Sequence, residues 1–303
     1  MKNNPFSSKF KSQKGAQRGS LIATYVILSI LALIWLIPIV WIVLSAFRVQ
    51  YTEGTFDGGM SSSYFPSGIG FKNFVDLFNM SYNNVDHAFL RWVGNTMLIS
   101  VCCCLISSFL VLSVAYCMSR LRYKLRKPFM NIAMIMGLFP GFMSMIAIYY
   151  ILKSVGLTEG ANIRIAMILV YSGGSGLGFL IAKGFFDTIP KTLDEAALID
   201  GATKWQVFTK IIMPLSKPTI VYTVLGAFMA PWVDFIFAKV LCRTNKDYYT
   251  VSIGLWNMLE KEYVHQYFTR FCAGAVCISI PISIVFLCMQ GCYKEGMSGA
   301  VKG

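Results

Sequence analysis

Four stretches of this chain, residues 21–47, 92–119, 128–152 and 271–293, contain no Asp, Glu, Lys or Arg. A bilayer core of about 30 Å is crossed by roughly 20 apolar helical residues, and inside lipid every backbone amide has to be paired within its own segment. Runs of this length therefore restrict the chain to membrane-spanning helices. Two weaker runs join them: residues 165–182 are charge-free but rich in glycine, and residues 218–241 carry Asp234 and Lys239. The expectation is an all-α integral membrane protein with six transmembrane helices. A hydrophobic fraction of 56% and a charged fraction of 14% agree with it, being far from soluble composition. The first run exceeds the apolar stretch of a cleaved leader and is expected to stay as an anchor.

The net charge of +13 has to be sorted by side before it means anything. With the N-terminus inside, 17 of the 27 basic residues fall on the cytosolic side, ten of them in the tail of residues 1–20 and the connection 120–127. Five of the 14 acids join them, giving about +12 inside against +1 outside. The excess is thus a topogenic signal and not a nucleic-acid footprint, and both termini are expected in the cytosol. One transmembrane domain, residues 21–293, then has outer segments at 48–91, 153–164 and 242–270, inner ones at 120–127 and 183–217, and a cytosolic tail at 294–303.

The chemistry of a self-contained enzyme is missing. Eight of the nine cysteines lie in apolar runs, the two histidines, His87 and His265, are isolated, and there is no H-E-x-x-H motif or phosphate loop. No disulfide framework, metal site, nucleotide cradle or cofactor site follows. A proton-coupled carrier would more often carry several intramembrane acids and paired repeats, whereas these runs hold one acid, Asp234.

The inner segment 183–217 is long for a connection and suggests a docking element. Thr192-Leu-Asp-Glu195 fits a capping box, Ala196, Ala197 and Leu198 continue a helix, and Gly201 stands where a helix ends in a left-handed residue. A second box, Thr203-Lys-Trp-Gln206, opens an amphipathic stretch with Trp205, Phe208, Ile211 and Ile212 at helical spacing, closed by Pro214. The pattern predicts a helix, a glycine bend and a helix.

This pattern resembles the EAA loop of binding-protein-dependent ABC importer permeases, the MetI-like family: Glu195-Ala196-Ala197, three residues, Gly201, nine residues, then Ile211 and Pro214. Met213 replaces the family's Leu, a volume-preserving change. The span order, Asp200-Gly-Ala-Thr203 and the tail Gly296–Gly303 are similar to its carbohydrate branch. Phe139–Met145, Gly184–Pro190 and Ala230–Phe235 resemble the smaller subunit of maltose/maltodextrin permeases. The resemblance implies a type I ABC importer permease fold in a bacterial cytoplasmic membrane. It also implies as partners a second homologous permease, an ATPase dimer that uses ATP and Mg²⁺, and an extracellular solute-binding protein, with an oligosaccharide as substrate; another oligosaccharide or a glycerol-phosphate-type solute is the alternative. The loop would enter a cleft of the ATPase, with Glu195 as ion-pair partner, small Ala196 and Ala197, Gly201 setting the angle, Trp205 or Phe208 as apolar anchors, and Asp200, Ala202 and Pro214 in the same contact region.

Other residues keep two readings. Gly176 and its glycine-rich neighbours 173–178 serve close helix packing or line a path; Pro140 kinks the third span as a gate or merely shapes the bundle. Asp234 lines a polar path or pairs with Lys239 or a donor on a neighbouring helix. Tyr248, Tyr249, Trp256 and Tyr263 anchor the interface or, as the resemblance implies, touch the binding protein. Gly299, Val301 and Lys302 belong to a frayed tail or, by the same resemblance, reach the ATPase.

Overall fold

The computed structural model describes residues 5–52, 55–61, 63–82, 84–138, 141–173, 178–243 and 245–300, with backbone alone at 5–19, 52, 142 and 291–300. Its elements are almost all helical. The first helix, α1 (Pro5–Ala46), carries the first apolar run and leaves most of it unburied by the rest of the chain. After a short antiparallel pair, β1 (Tyr51–Thr52) and β2 (Thr55–Phe56), α2 (Lys72–Asn79) leads to α3 (Ala88–Arg120). At 1.5 Å per residue α3 is roughly 50 Å long. Its apolar sequence lets it bury successive faces, and it packs against α6 (Asn162–Gly173), α7 (Gly178–Thr188) and α11 (Lys217–Val233).

Among the described residues four helices are long and apolar enough to cross a membrane: Ser20–Ala46, Ala88–Arg120, Asn162–Thr188, which runs over the undescribed residues 174–177, and Val264–Gln290. The pair Lys204–Leu215 and Lys217–Val233, bent by 86°, adds a fifth if taken as one span. Of the expected run 128–152 the described residues form α4 (Arg126–Gly137) and α5 (Gly141–Ser154), with residues 139–140 outside them. The expected run 218–241 is interrupted too: α11 stops at Val233, Asp234 is extended with ψ 118°, and α12 (Ile236–Cys242) begins afresh. The described residues thus hold four or five helices of spanning length, with the shorter apolar helix Met143–Ser154 beside them.

The chain between α1 and α3 is tied down by buried polar groups. Arg48, 2% exposed, donates to Ser63 Oγ at 3.0 Å and to the carbonyls of Ser63 and Tyr64 at 2.6 and 3.3 Å. Asn73 Nδ2 donates to the carbonyls of Ala46 and Arg48 at 2.9 and 2.8 Å, taking up acceptors that the end of α1 leaves open. The last helix, α14 (Val264–Ala300), lies against α1, α2 and α11.

Two apolar clusters result. One gathers Phe89 and Trp92 of α3 with Leu241, Ile253 and Met258; the other joins Tyr116, Phe179 and Phe186 to Val207, Phe208 and Ile212. The second cluster seats the connection between α7 and α11 on the end of α3.

Candidate functional site: the helix-glycine-helix loop

Helix α7 ends at Thr188, and Pro190, with φ −57° and ψ 130°, turns the chain into α8 (Lys191–Ile199). The capping box expected at Thr192 does not form. Pro190 starts the helix one residue ahead of Thr192, which places that hydroxyl inside the first turn, and no side-chain hydrogen bond caps α8. At the other end Gly201 has φ +82°, Gly201 N–H reaches Leu198 O at 3.1 Å and Ala202 N–H reaches Ala197 O at 2.9 Å. These two bonds form a Schellman closure, which places a left-handed residue where glycine costs least. The bend is therefore built by Gly201 as the spacing indicates.

The second capping box does form: Gln206 N–H donates to Thr203 Oγ1 at 3.3 Å and Thr203 N–H to Gln206 Oε1 at 2.8 Å. It opens α9 (Lys204–Val207), which continues through a π-helical turn, Phe208–Ile212, into α10 (Met213–Leu215). Pro214 offers no N–H and crowds the carbonyl four residues before it, so a widened turn ahead of it relieves the overlap. Ser216, fully buried, then separates α10 from α11.

Arg120, the last residue of α3, holds this assembly. Its side chain is 4% exposed, and Nε lies 3.1 Å from Asp194 Oδ2. Its Nη2 donates to the carbonyls of Phe186 and Ile189 at 3.0 and 2.8 Å, so one guanidinium joins α3, the end of α7 and α8. Burial raises the Asp194 carboxyl above its ordinary range, outweighing the opposing pull of Arg120. Nearby, Ser119 Oγ donates to Asp187 Oδ1 at 2.6 Å, Lys183 pairs with Asp187, and Tyr116 Oη donates to the Lys204 carbonyl at 3.1 Å.

The residues singled out by the motif divide between two faces. Glu195, Ala196, Asp200 and Pro214 are exposed, as is Trp205 at 61%. Ala197 and Ala202 are half-buried against the second cluster. Phe208 is buried, its ring 4.8 Å from that of Tyr116, so it fixes the loop to α3 and does not stand on the outer face. Leu198 and Ile199 are exposed beside Trp205's stretch of chain, making the outward surface apolar with a rim of charge. Arg120 and Asp194 were not among the expected site residues; a basic residue at a span end reads first as topology, and its partner lies 74 positions away.

At the far end of the molecule the aromatic segment is folded inward. Helix α13 (Val251–Met258) packs on α3, with Val251 and Ile253 fully buried. Asn95 donates to the carbonyls of Asp247 and Tyr249 at 2.8 and 3.0 Å and accepts from Arg164 Nε at 3.0 Å. Tyr249 is 8% exposed, with Oη on the Arg243 carbonyl, which removes it from any surface contact. Tyr248 lies under the Arg164 guanidinium at 5.0 Å, Trp256 stacks on Phe235 at 4.4 Å, and Tyr263 meets Tyr267 edge-on. Asp234 accepts from Tyr171 Oη at 2.8 Å and from Phe237 N–H at 3.3 Å, whereas Lys239 pairs with Glu260 at 2.7 Å. A neighbouring helix's donor, and not Lys239, is thus its partner. A Cβ added at Gly173 would meet nothing among the described residues. Pro140, Gly176, Val301 and Lys302 lie outside the described residues, and Gly299 is described by its backbone in α14 alone.

Long apolar helices carrying an exposed helix-glycine-helix loop define a helical membrane protein. The family model for binding-protein-dependent transport system inner membrane components matches residues 110–298, and the chain belongs to that family. Such permease subunits are not enzymes; ATP hydrolysis occurs in a separate ATPase. The chain is 30% identical over 285 residues to the galactooligosaccharides transport system permease protein GanQ of Bacillus subtilis, covering 93% of this chain and 96% of that one. It is 29% identical over 283 residues to the maltodextrin transport system permease protein MdxG of the same organism, covering 93% and 96%. Among solved structures, a bacterial ABC transporter involved in import of the acidic polysaccharide alginate superposes with a TM-score of 0.73 at 22% identity, covering 91% and 97%, and shares the fold.

Proposed function

We propose that this chain is the transmembrane subunit of an ATP-driven importer of oligosaccharides in a bacterial cytoplasmic membrane, with both termini in the cytosol. The observation that carries the reading is the exposed helix-glycine-helix loop seated on buried Arg120, within a chain whose family match spans residues 110–298. Maltodextrin-type chains are the first substrate to test. Relatives named for maltodextrin and for galactooligosaccharides are about equally similar, which supports a linked sugar more strongly than any one linkage.

In this reading sugar passes between the chain and a second, homologous permease as the pair alternates between outward-facing and inward-facing states. Glu195, Ala196, Asp200, Gly201 and Trp205 meet one subunit of an ATPase dimer, which binds ATP and Mg²⁺. Closure of that dimer pushes α8, and the Arg120–Asp194 pair and the Phe208–Tyr116 contact pass the displacement to α3 and α7. An extracellular binding protein docks at the far end near Tyr248, Trp256 and Tyr263. Asp234, Pro140 and Gly176 are assigned to the translocation path, and Gly299, Val301 and Lys302 to a tail that touches the ATPase.

Uptake of radiolabelled maltodextrin, galactooligosaccharide and glycerol phosphate after deletion of the gene tests the substrate. Selective loss of maltodextrin uptake is expected; loss of one of the others alone reassigns it. Purification of the tagged subunit from native membranes tests the assembly, with co-purified ATPase and second permease expected. Sugar transport by the solitary subunit without ATP would overturn the reading.

A further inference from the structure

Between the α3–α4 connection and α8 lies a pocket of about 400 Å³ whose walls include Arg120, Arg122, Arg126, Lys191 and Lys204. Two acids share it, Asp194, which Arg120 engages, and Glu195, which is exposed. Arg122, Arg126, Lys191 and Lys204 form no salt bridge among the described residues. Arg120 Nη1 has no hydrogen-bond partner among the described residues, although its side chain is 4% exposed. A buried guanidinium nitrogen without an acceptor is costly, and cations gathered around one space repel unless an anion fills it. An anion with several acceptor oxygens, such as a phosphate ester, answers both demands.

A second cleft, of about 200 Å³, shares Tyr116, Leu121 and Lys204 with the first and continues past Cys117 to Ser113, with Trp205 and Phe208 on its other wall. Ser113 precedes Arg120 by about 10 Å along α3, towards the middle of the span. A basic pocket at the end of α3 thus adjoins an apolar cleft whose lining continues along α3 towards the middle of the expected span. Basic pockets between spans on the cytoplasmic side are suited to anionic lipid head groups.

We propose that this is a binding site for an anionic glycerophospholipid, with the phosphate in the basic pocket and part of an acyl chain in the cleft. A free phosphate ester satisfies the pocket but leaves the cleft unused, which favours the lipid. The bound lipid joins the α3–α4 connection to α8 and so stiffens the seat of the loop. The chemistry of the site is independent of which sugar is carried; its placement in the cytoplasmic leaflet rests on the orientation proposed above.

The test uses the complete importer, purified in mild detergent with its second permease and ATPase, and titrated with phosphatidylglycerol or phosphatidylcholine while native mass spectrometry counts retained lipid. Retention of phosphatidylglycerol over phosphatidylcholine is expected. Arg122→Gln with Arg126→Gln should weaken it by about 30-fold, taking about fivefold per basic residue near the surface. Arg122→Lys with Arg126→Lys should retain it, which separates lost charge from lost folding. Equal loss in the charge-matched pair Lys153→Gln and Lys261→Gln, far from the pocket, would overturn the site, as would unchanged retention in the Gln pair. Displacement of the lipid by sn-glycerol 1-phosphate or inorganic phosphate at comparable concentration would overturn the lipid assignment in favour of a soluble phosphate ester.

Discussion

Replacing Arg120 by Met keeps the length of the side chain in its apolar surroundings and removes three contacts at once: the ion pair to Asp194 and the bonds to the carbonyls of Phe186 and Ile189. Removing one member of a buried pair costs about 3–5 kcal/mol because the other charge stays behind. The Asp194 side chain is 14% exposed, so water relieves part of that and the lower figure, about 3 kcal/mol, is expected. Such a loss corresponds to a shift of about a hundredfold in the equilibrium between docked and undocked α8. Limited proteolysis of inverted vesicles, followed at the Leu198–Lys204 segment, reads the undocked population, and ATP-driven uptake reads its consequence. Arg120→Met should speed cleavage and uncouple hydrolysis from uptake, while Arg120→Met with Asp194→Leu should recover much of the docking because neither charge remains. The defect has a pH dependence with a definite sign. Burial already raises Asp194, and loss of Arg120 removes the influence that lowers it. A group raised in the folded state stabilises that state at low pH and ceases to do so as pH rises through the folded value. The single variant should therefore be milder at about pH 5 than at about pH 8. Cleavage and coupling in Arg120→Met indistinguishable from the parent would refute the anchoring role.

Gly201→Ala forces an L side chain to φ +82°, at a cost of about 1–2 kcal/mol; a fall in uptake with normal membrane abundance, partly restored in Gly201→Asn, is the expected result. Thr203→Ala removes the hydroxyl of the intact capping box and should cost about 1 kcal/mol, whereas Thr192→Ala, which caps nothing, should leave the melting temperature of the purified complex nearly unchanged. A Cβ at Gly254 would lie 2.0 Å from the Trp92 ring, so Gly254→Ala should destabilise the far end by about 1–3 kcal/mol, seen as a lower melting temperature that Trp92→Leu partly restores. Asp234→Leu deletes the acceptor for Tyr171 Oη and Phe237 N–H and should lower the melting temperature, while Asp234→Asn keeps an acceptor oxygen and should change it little.

The apolar runs were legible because a bilayer admits so few alternatives: a charge-free stretch the length of α3 has to be a helix. The break after Val233 was not. Asp234 reads in sequence as a charge inside a span, and only its packing explains why the helix stops there: its carboxylate serves Tyr171 of α6 and the first turn of α12, and its carbonyl accepts from Ser252 Oγ at 2.7 Å. Helix α13 escaped for a related reason. Its eight residues are too few to register as a span, and the contact that fixes it, Gly254 against Trp92, joins positions 162 residues apart. An aromatic segment with no spanning length reads as an interfacial anchor or a binding-protein contact, although Val251 and Ile253 are fully buried in the cluster that holds Phe89 and Trp92 of α3.

The loop itself divides along the same line. What depends on neighbours in sequence, the left-handed Gly201 and the Thr203–Gln206 box, follows from residue type and spacing. What depends on neighbours in space does not: Phe208 has the spacing of an outward anchor but lies on Tyr116, and the capping residues at Thr192 are displaced by Pro190. Placing Phe208 inward changes how force can travel through the molecule. One side of α8 and α9 is exposed, while the opposite side is joined to α3 by an ion pair, a tyrosine hydroxyl on the Lys204 carbonyl and a tilted contact between the Tyr116 and Phe208 rings. Since α3 also packs against α6, α7 and α11, the loop is seated on a helix that touches three others, and the chain turns by 86° at Ser216 into α11.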